Sequence, residues 1–125
     1  MSQENHSNAI FPIMDEYLAY MEAILGRSPL TMKEYRYDLT LFFRFLKLPL
    51  DEISIESIHA NYLSSIKLTD FYAFLSWLTR ERNASAQNRS RKVSALRSFF
   101  KWAHNKRQYI SLDPTSELES PKIPK

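Results

Sequence analysis

The chain has 125 residues, 44% hydrophobic and 25% charged, with a net charge of +3, the size and composition of one globular domain. It has no Cys, which excludes disulfides and thiolate metal sites. Its single Gly argues against hairpin sheets, phosphate loops and dinucleotide folds, all of which need Gly at positive φ or against a ligand. His6, His59 and His104 are too scattered for a metal cluster. No apolar run approaches the roughly 18 residues of a membrane span, and the start, MSQENHSNAIF, lacks the basic and apolar regions of a signal peptide. The expectation is a cytoplasmic, all-α protein with no membrane partner and no cofactor.

In chain order, residues 1–11 are polar and aperiodic and are expected to be disordered. Pro12 to Leu25 predicts the first helix, with Pro12 at its first position, Asp15 and Glu16 in its first turn, and Ile13, Tyr17, Met21 and Ile24 on the helical period. Gly26 stops it. After a turn at Ser28-Pro29-Leu30, Thr31 with Glu34 reads as a capping box, and a second helix runs to about Lys47. Met32, Tyr35, Leu39, Phe42, Phe43 and Leu46 share one face of it; Lys33, Arg36, Tyr37, Thr40, Arg44 and Lys47 share the other.

Leu48-Pro49-Leu50 breaks that helix. Asp51 to Lys67 reads as a loop followed by a short helix within Ser57 to Ser65. Thr69 to about Arg82 predicts another helix, with Thr69 as its cap and Phe71, Phe74, Leu75 and Leu78 buried. Asn83-Ala84 is a short turn. Ser85 then caps a long helix to Arg107, joined to its predecessor as an antiparallel or sharply angled pair. Turning 100° per residue, Val93, Leu96, Phe99, Phe100 and Ala103 fall in one arc of about 120°. Gln87, Ser90, Ser94, Arg97, Ser98 and Lys101 fall in a separate one. Between Arg80 and Tyr109 there are nine Lys and Arg against Glu81 alone. Such a block fits a polyanionic partner as well as a solvated face. Tyr109-Ile110 is expected to pack back on the core, and Asp113-Pro114 to Lys125 to run extended.

The order of these features resembles the N-terminal core-binding, SAM-like domain of tyrosine recombinases of the phage integrase and Xer type. Thr31, Tyr35, Asp38-Leu39, Phe42 and Phe45-Leu46 are similar to one family helix, and Ile66 to Leu78, with Thr69, Asp70, Phe74 and Leu75, to another. Ser85 through Val93-Ser94-Ala95-Leu96-Arg97-Ser98-Phe99-Phe100-Lys101-Trp102 carries the most specific likeness. Ile110, Asp113-Pro114, Leu118 and Pro121-Lys122 resemble the family's exit from the domain.

The resemblance implies a four- to five-helix orthogonal bundle over residues 12–112. It makes residues 113–125 a linker towards a C-terminal catalytic domain outside this chain. It implies half of a clamp on double-stranded DNA, with the catalytic domain of the same parent and other recombinase protomers as further partners. The helix starts near Thr31 to Arg36 and Ser85 to Lys92 would approach the major groove. The DNA-binding residues would be Thr31, Lys33, Arg36, Ser85, Gln87, Asn88, Arg89, Arg91 and Lys92, with Arg97 and Lys101 as backbone contacts. Capped helix starts favour phosphate, and Arg, Lys, Asn and Gln read base edges. The family's catalytic set is an Arg, a Lys, a His-x-x-Arg pair, a further His or Trp and a nucleophilic Tyr that forms a tyrosyl–phosphodiester without external cofactor. This chain is expected to carry none of that set and not to cleave DNA. Two other readings stand beside this one: a free-standing helix-turn-helix DNA-binding regulator and a helical protein-interaction module.

Overall fold

The structure, a computed structural model, describes residues 10–46 and 59–123. Five α-helices occur among them: α1 (Ile10–Ala23), α2 (Pro29–Leu46), α3 (Ala60–Leu63), α4 (Leu68–Glu81) and α5 (Ala86–Asn105). The chain is all-α, as its lone Gly implies. Lys47 and the apolar residues Ile53, Ile55 and Ile58 lie outside the described residues, as does most of the N-terminal stretch expected to be disordered. The chain divides into two compact units, Met1–Ser65 and Ile66–Lys125.

In the first unit α1 and α2 pack together. Ile10, Ile13, Met14, Tyr17 and Met21 of α1 are buried, as are Leu39, Phe42 and Phe43 of α2. Phe42 and Phe43 meet edge to face. Ile10 and Phe11, expected in the disordered start, are helical, which puts Pro12 third in α1 as described. That position still lies in the first turn, where a missing N–H costs nothing. Ile24, expected on the buried period, is 68% exposed, because the helix ends at Ala23. Gly26 then takes φ +66°, and the next residue, Arg27, donates its N–H to the Met21 carbonyl at 3.0 Å.

The start of α2 corrects the capping box expected at Thr31. Ser28 is the cap: its Oγ accepts the Thr31 N–H at 3.1 Å, and its carbonyl accepts the Met32 N–H at 3.1 Å. Pro29 occupies the first helical position, which a proline favours, and this moves the cap three residues upstream. Asp38, at the edge of the core face, is fully buried.

In the second unit α4 begins at Leu68 with Lys67 as N-cap, where Thr69 was expected. A lysine has no acceptor to offer, so Asp70 supplies one: its Oδ2 takes the Lys67 N–H at 2.8 Å. Phe71, Phe74 and Leu78 are buried as expected. Phe71, at the start of α4, meets Phe100, near the end of α5, edge-on with centroids 5.4 Å apart. Arg89, near the start of α5, donates from Nη1 to Thr79 Oγ1, near the end of α4, at 3.0 Å. Start meets end in both contacts, so the two helices run antiparallel. The link between them turns at Asn83, φ +52°, and Ala84 sends its N–H back to the Leu78 carbonyl at 3.0 Å.

The same device ends α5. Gln108 takes φ +54°, and the Tyr109 N–H reaches the Ala103 carbonyl at 2.8 Å. Three helix ends thus share one closure, with Gly, Asn and Gln in turn at the left-handed position. Beyond it Ile110 is buried as expected. The segment from Asp113 on does not simply run extended. Asp113 Oδ1 accepts both the N–H and the hydroxyl of Thr115, at 2.8 and 2.7 Å, a turn follows, and Thr115 and Leu118 are buried.

Candidate nucleic-acid interface

Helix α5 divides by side. Ser85 is its N-cap, its hydroxyl accepting the Asn88 N–H at 3.0 Å, as the sequence predicts. Lys92, Val93, Ala95, Leu96, Phe99, Phe100, Trp102 and Ala103 are buried. Phe99 stands edge-on to Phe100 at 5.2 Å and tilted against Trp102 at 5.9 Å. At 100° per residue these buried positions occupy half the helix circumference, a wider arc than the aliphatic and Phe positions alone mark out. The other half carries Gln87, Ser94 and Lys101, all exposed, flanked by Ser90, Arg91, Arg97 and Ser98, all half-buried. That surface is a continuous stripe of cations, Gln and small hydroxyls. It holds no acid, and from Gln87 to Lys101 it is about 21 Å long at 1.5 Å per residue.

All the candidate residues but Lys33 fall into three groups. Gln87, Arg91, Arg97 and Lys101 are brought together on the stripe. The second group is engaged in holding the fold. Arg89 joins Thr79, and its Nε reaches the Ser85 carbonyl at 3.4 Å. Ser85 and the backbone N–H of Asn88 are spent on the cap, a bond that leaves the half-buried side-chain amide of Asn88 out. Arg36 is ion-paired with Asp15 of α1 and lies over the Phe11 ring, 5.7 Å from its centroid. Thr31 is half-buried in the first turn of α2, its hydroxyl accepting from Ser28 Oγ at 3.1 Å. Lys33 stands apart from these, exposed on α2 in the first unit.

The third group is Lys92 alone. It is 3% exposed, and a buried ammonium does not reach a phosphate on a duplex surface. The helical period carried the signal, since Lys92 falls in the middle of the arc that Val93, Leu96 and Phe99 define.

Arg97 has a second engagement that the sequence did not reveal. Its guanidinium donates to Ser120 Oγ at 2.8 Å and to the Leu118 carbonyl, which clasps the C-terminal segment to α5. Both acceptors are neutral, so the cation keeps its full charge. The chain also contains the spacing His-x-x-Arg, contrary to expectation, at His104 and Arg107. These residues close the end of α5: His104 Nδ1 lies 3.2 Å from the Ile110 carbonyl, and Arg107 covers the Tyr109 ring at 5.4 Å.

The family described as phage integrase, N-terminal SAM-like domain, matches residues 14–107. The chain belongs to that family. The match spans α1 to α5 and stops short of the exit segment from Gln108. Among tyrosine recombinases of the Xer type, the XerC of Caldanaerobacter subterraneus subsp. tengcongensis is 46% identical over 90% of this chain and 34% of its own length. The XerC of Oceanobacillus iheyensis is 30% identical over 90% of the chain, and the XerD of Staphylococcus saprophyticus is 31% identical over 88%. The chain spans about a third of the length of these relatives. No solved structure gives a significant match. No helix among the described residues is long and apolar enough to cross a membrane.

Proposed function

We propose that this SAM-like domain is the DNA-binding half of a site-specific tyrosine recombinase of the Xer type. In this reading residues 12–112 form one side of a clamp on duplex DNA, and residues 113–125 lead towards a catalytic domain that carries out strand exchange in concert with other protomers. The observation that carries the reading is the stripe on α5. The small side chains of Ser90, Ser94 and Ser98 let a phosphate backbone approach the helix closely, and Arg91, Arg97 and Lys101 lie beside it to meet the charge. At the start of the stripe, Asn88 and Arg89 have their N–H groups taken by Ser85. Those of Ala86 and Gln87 remain at the positive end of the helix dipole, a favourable place for a phosphate oxygen. Gln87, in the same turn, has the amide that pairs with an adenine edge in the major groove. Lys33, exposed on α2, supplies a further phosphate contact from the first unit.

The test is duplex binding by the isolated chain followed by fluorescence anisotropy across a range of salt concentrations. The reading expects weak binding, with a dissociation constant of about 10⁻⁴–10⁻⁶ M near physiological salt and a steep fall as salt rises. Duplex binding that ignores salt, or none at low salt, contradicts it and favours a helical module for a protein partner.

A further inference from the structure

The stripe on α5 ends in a cleft. Its floor is the C-terminal half of the helix, with Arg97, Ser98 and Lys101. Its far wall is the turn formed by Asp113, Thr115 and Ser116, and the cleft, open to solvent, has a volume of about 460 Å³. The charges in it are unevenly satisfied. The Asp113 carboxylate already accepts two hydrogen bonds from Thr115 through Oδ1. Arg97 is held by a carbonyl and a hydroxyl, neither of which neutralises it. Lys101, exposed on the rim, forms no ion pair among the described residues. Ser116 lends only its N–H to the turn, donating to the Asp113 carbonyl at 3.2 Å, and keeps its hydroxyl. Two cations, the Ser116 hydroxyl and a single, already engaged carboxylate make a recess with a net positive charge. A guanidinium half withdrawn from water and partnered only by neutral acceptors gains most from an incoming anion.

We infer that this cleft is a phosphate-binding site, separate from the start of α5, which takes one phosphate group against Arg97, Lys101 and the hydroxyl of Ser116. The phosphate is either a free ion or a phosphodiester of bound duplex. The second source rests on the DNA-binding reading, and the first does not.

The experiment titrates the isotope-labelled 125-residue chain with inorganic phosphate at constant ionic strength and follows the amide resonances of Ser98, Lys101 and Ser116. Saturable shifts at millimolar phosphate are expected. Ser116→Asp places a second carboxylate in the cleft at an exposed position and should abolish them. Lys101→Gln should weaken binding at least fivefold, and Ser76→Ala, at an exposed position on α4 away from the cleft, should leave it unchanged. Absence of saturable shifts, or an equal response from Ser116→Asp, overturns the inference. A duplex arm separates the sources. If Ser116→Asp lowers the salt slope of duplex binding by about 0.9, the cleft holds a backbone phosphate. If the slope holds while phosphate binding is abolished, the cleft serves free phosphate. If the wild-type chain binds no duplex at all, the DNA reading fails while the phosphate titration still decides the cleft.

Discussion

The two units carry opposite charge. Met1–Ser65 has five Lys and Arg against nine Asp and Glu, a net −4, and Ile66–Lys125 has twelve against five, a net +7. The difference is clearest in two arginines that the sequence alone makes look alike, each on the polar side of an amphipathic helix. Arg36 meets the opposite charge of Asp15. Arg97 meets a carbonyl and a hydroxyl, and its charge remains. What a cation offers a polyanion thus depends on its partner more than on its place in a helical wheel. The positive field belongs to the second unit, where cations outnumber acids and Arg97 is held by neutral groups.

The strongest way to break this comparison is to remove what holds the second unit's helix pair together. Phe100→Ala deletes a ring packed edge-on against both Phe71 and Phe99, and should cost about 3–5 kcal/mol. A denaturation midpoint equal to that of the wild type would mean that α5 does not rest on this face. The comparison sharpens with the two arginines themselves. Arg97→Ala removes two charge-assisted hydrogen bonds from a half-buried clasp and should cost about 2 kcal/mol, with faster hydrogen exchange from Leu118 to Ser120. Arg36→Ala removes a pair open to solvent and should cost no more than about 1 kcal/mol. Equal costs would show that the two sites are alike after all.

Two smaller effects test the helix ends. Ser85→Ala removes the cap of α5 and should cost about 1 kcal/mol. Gln108→Gly relieves a side chain at positive φ, in a conformation that costs an ordinary residue about 1–2 kcal/mol, although the freer unfolded chain takes some of this back. A gain of about 0.5 kcal/mol is expected, and a decrease would show that the Gln side chain has a partner that outweighs its strain.

Much of the second unit was legible from residue order. Ser85 as cap, the apolar arc of α5, the short turn at Asn83 and the return of Ile110 all follow from local rules of capping, periodicity and chain reversal. Local rules were also enough for two positions where the simple reading went astray. Ser28-Pro29 is a stronger helix start than Thr31, and Lys92 sits in the middle of the core arc even though it belongs to a basic run. What could not be read were partners brought together by tertiary structure. Arg36 and Asp15 are 21 residues apart, as are Arg97 and Leu118. The period places such a side chain on a face, but whether an acid or a carbonyl awaits it depends on how the chain returns. The wall of the cleft at Asp113 to Ser116 was hidden for the same reason: nothing in Asp-Pro-Thr-Ser says which helix it will lie against.

The central claim is that the stripe on α5 meets the phosphates of duplex DNA, and the salt dependence of duplex binding tests it most directly. The Arg91→Ala, Lys101→Ala double variant should lower the slope of log K against log salt by about 2, at roughly 0.9 for each phosphate no longer neutralised, whereas Arg36→Ala should leave the slope unchanged. A double variant with the wild-type slope, alongside an Arg36→Ala chain whose slope falls, would contradict the account.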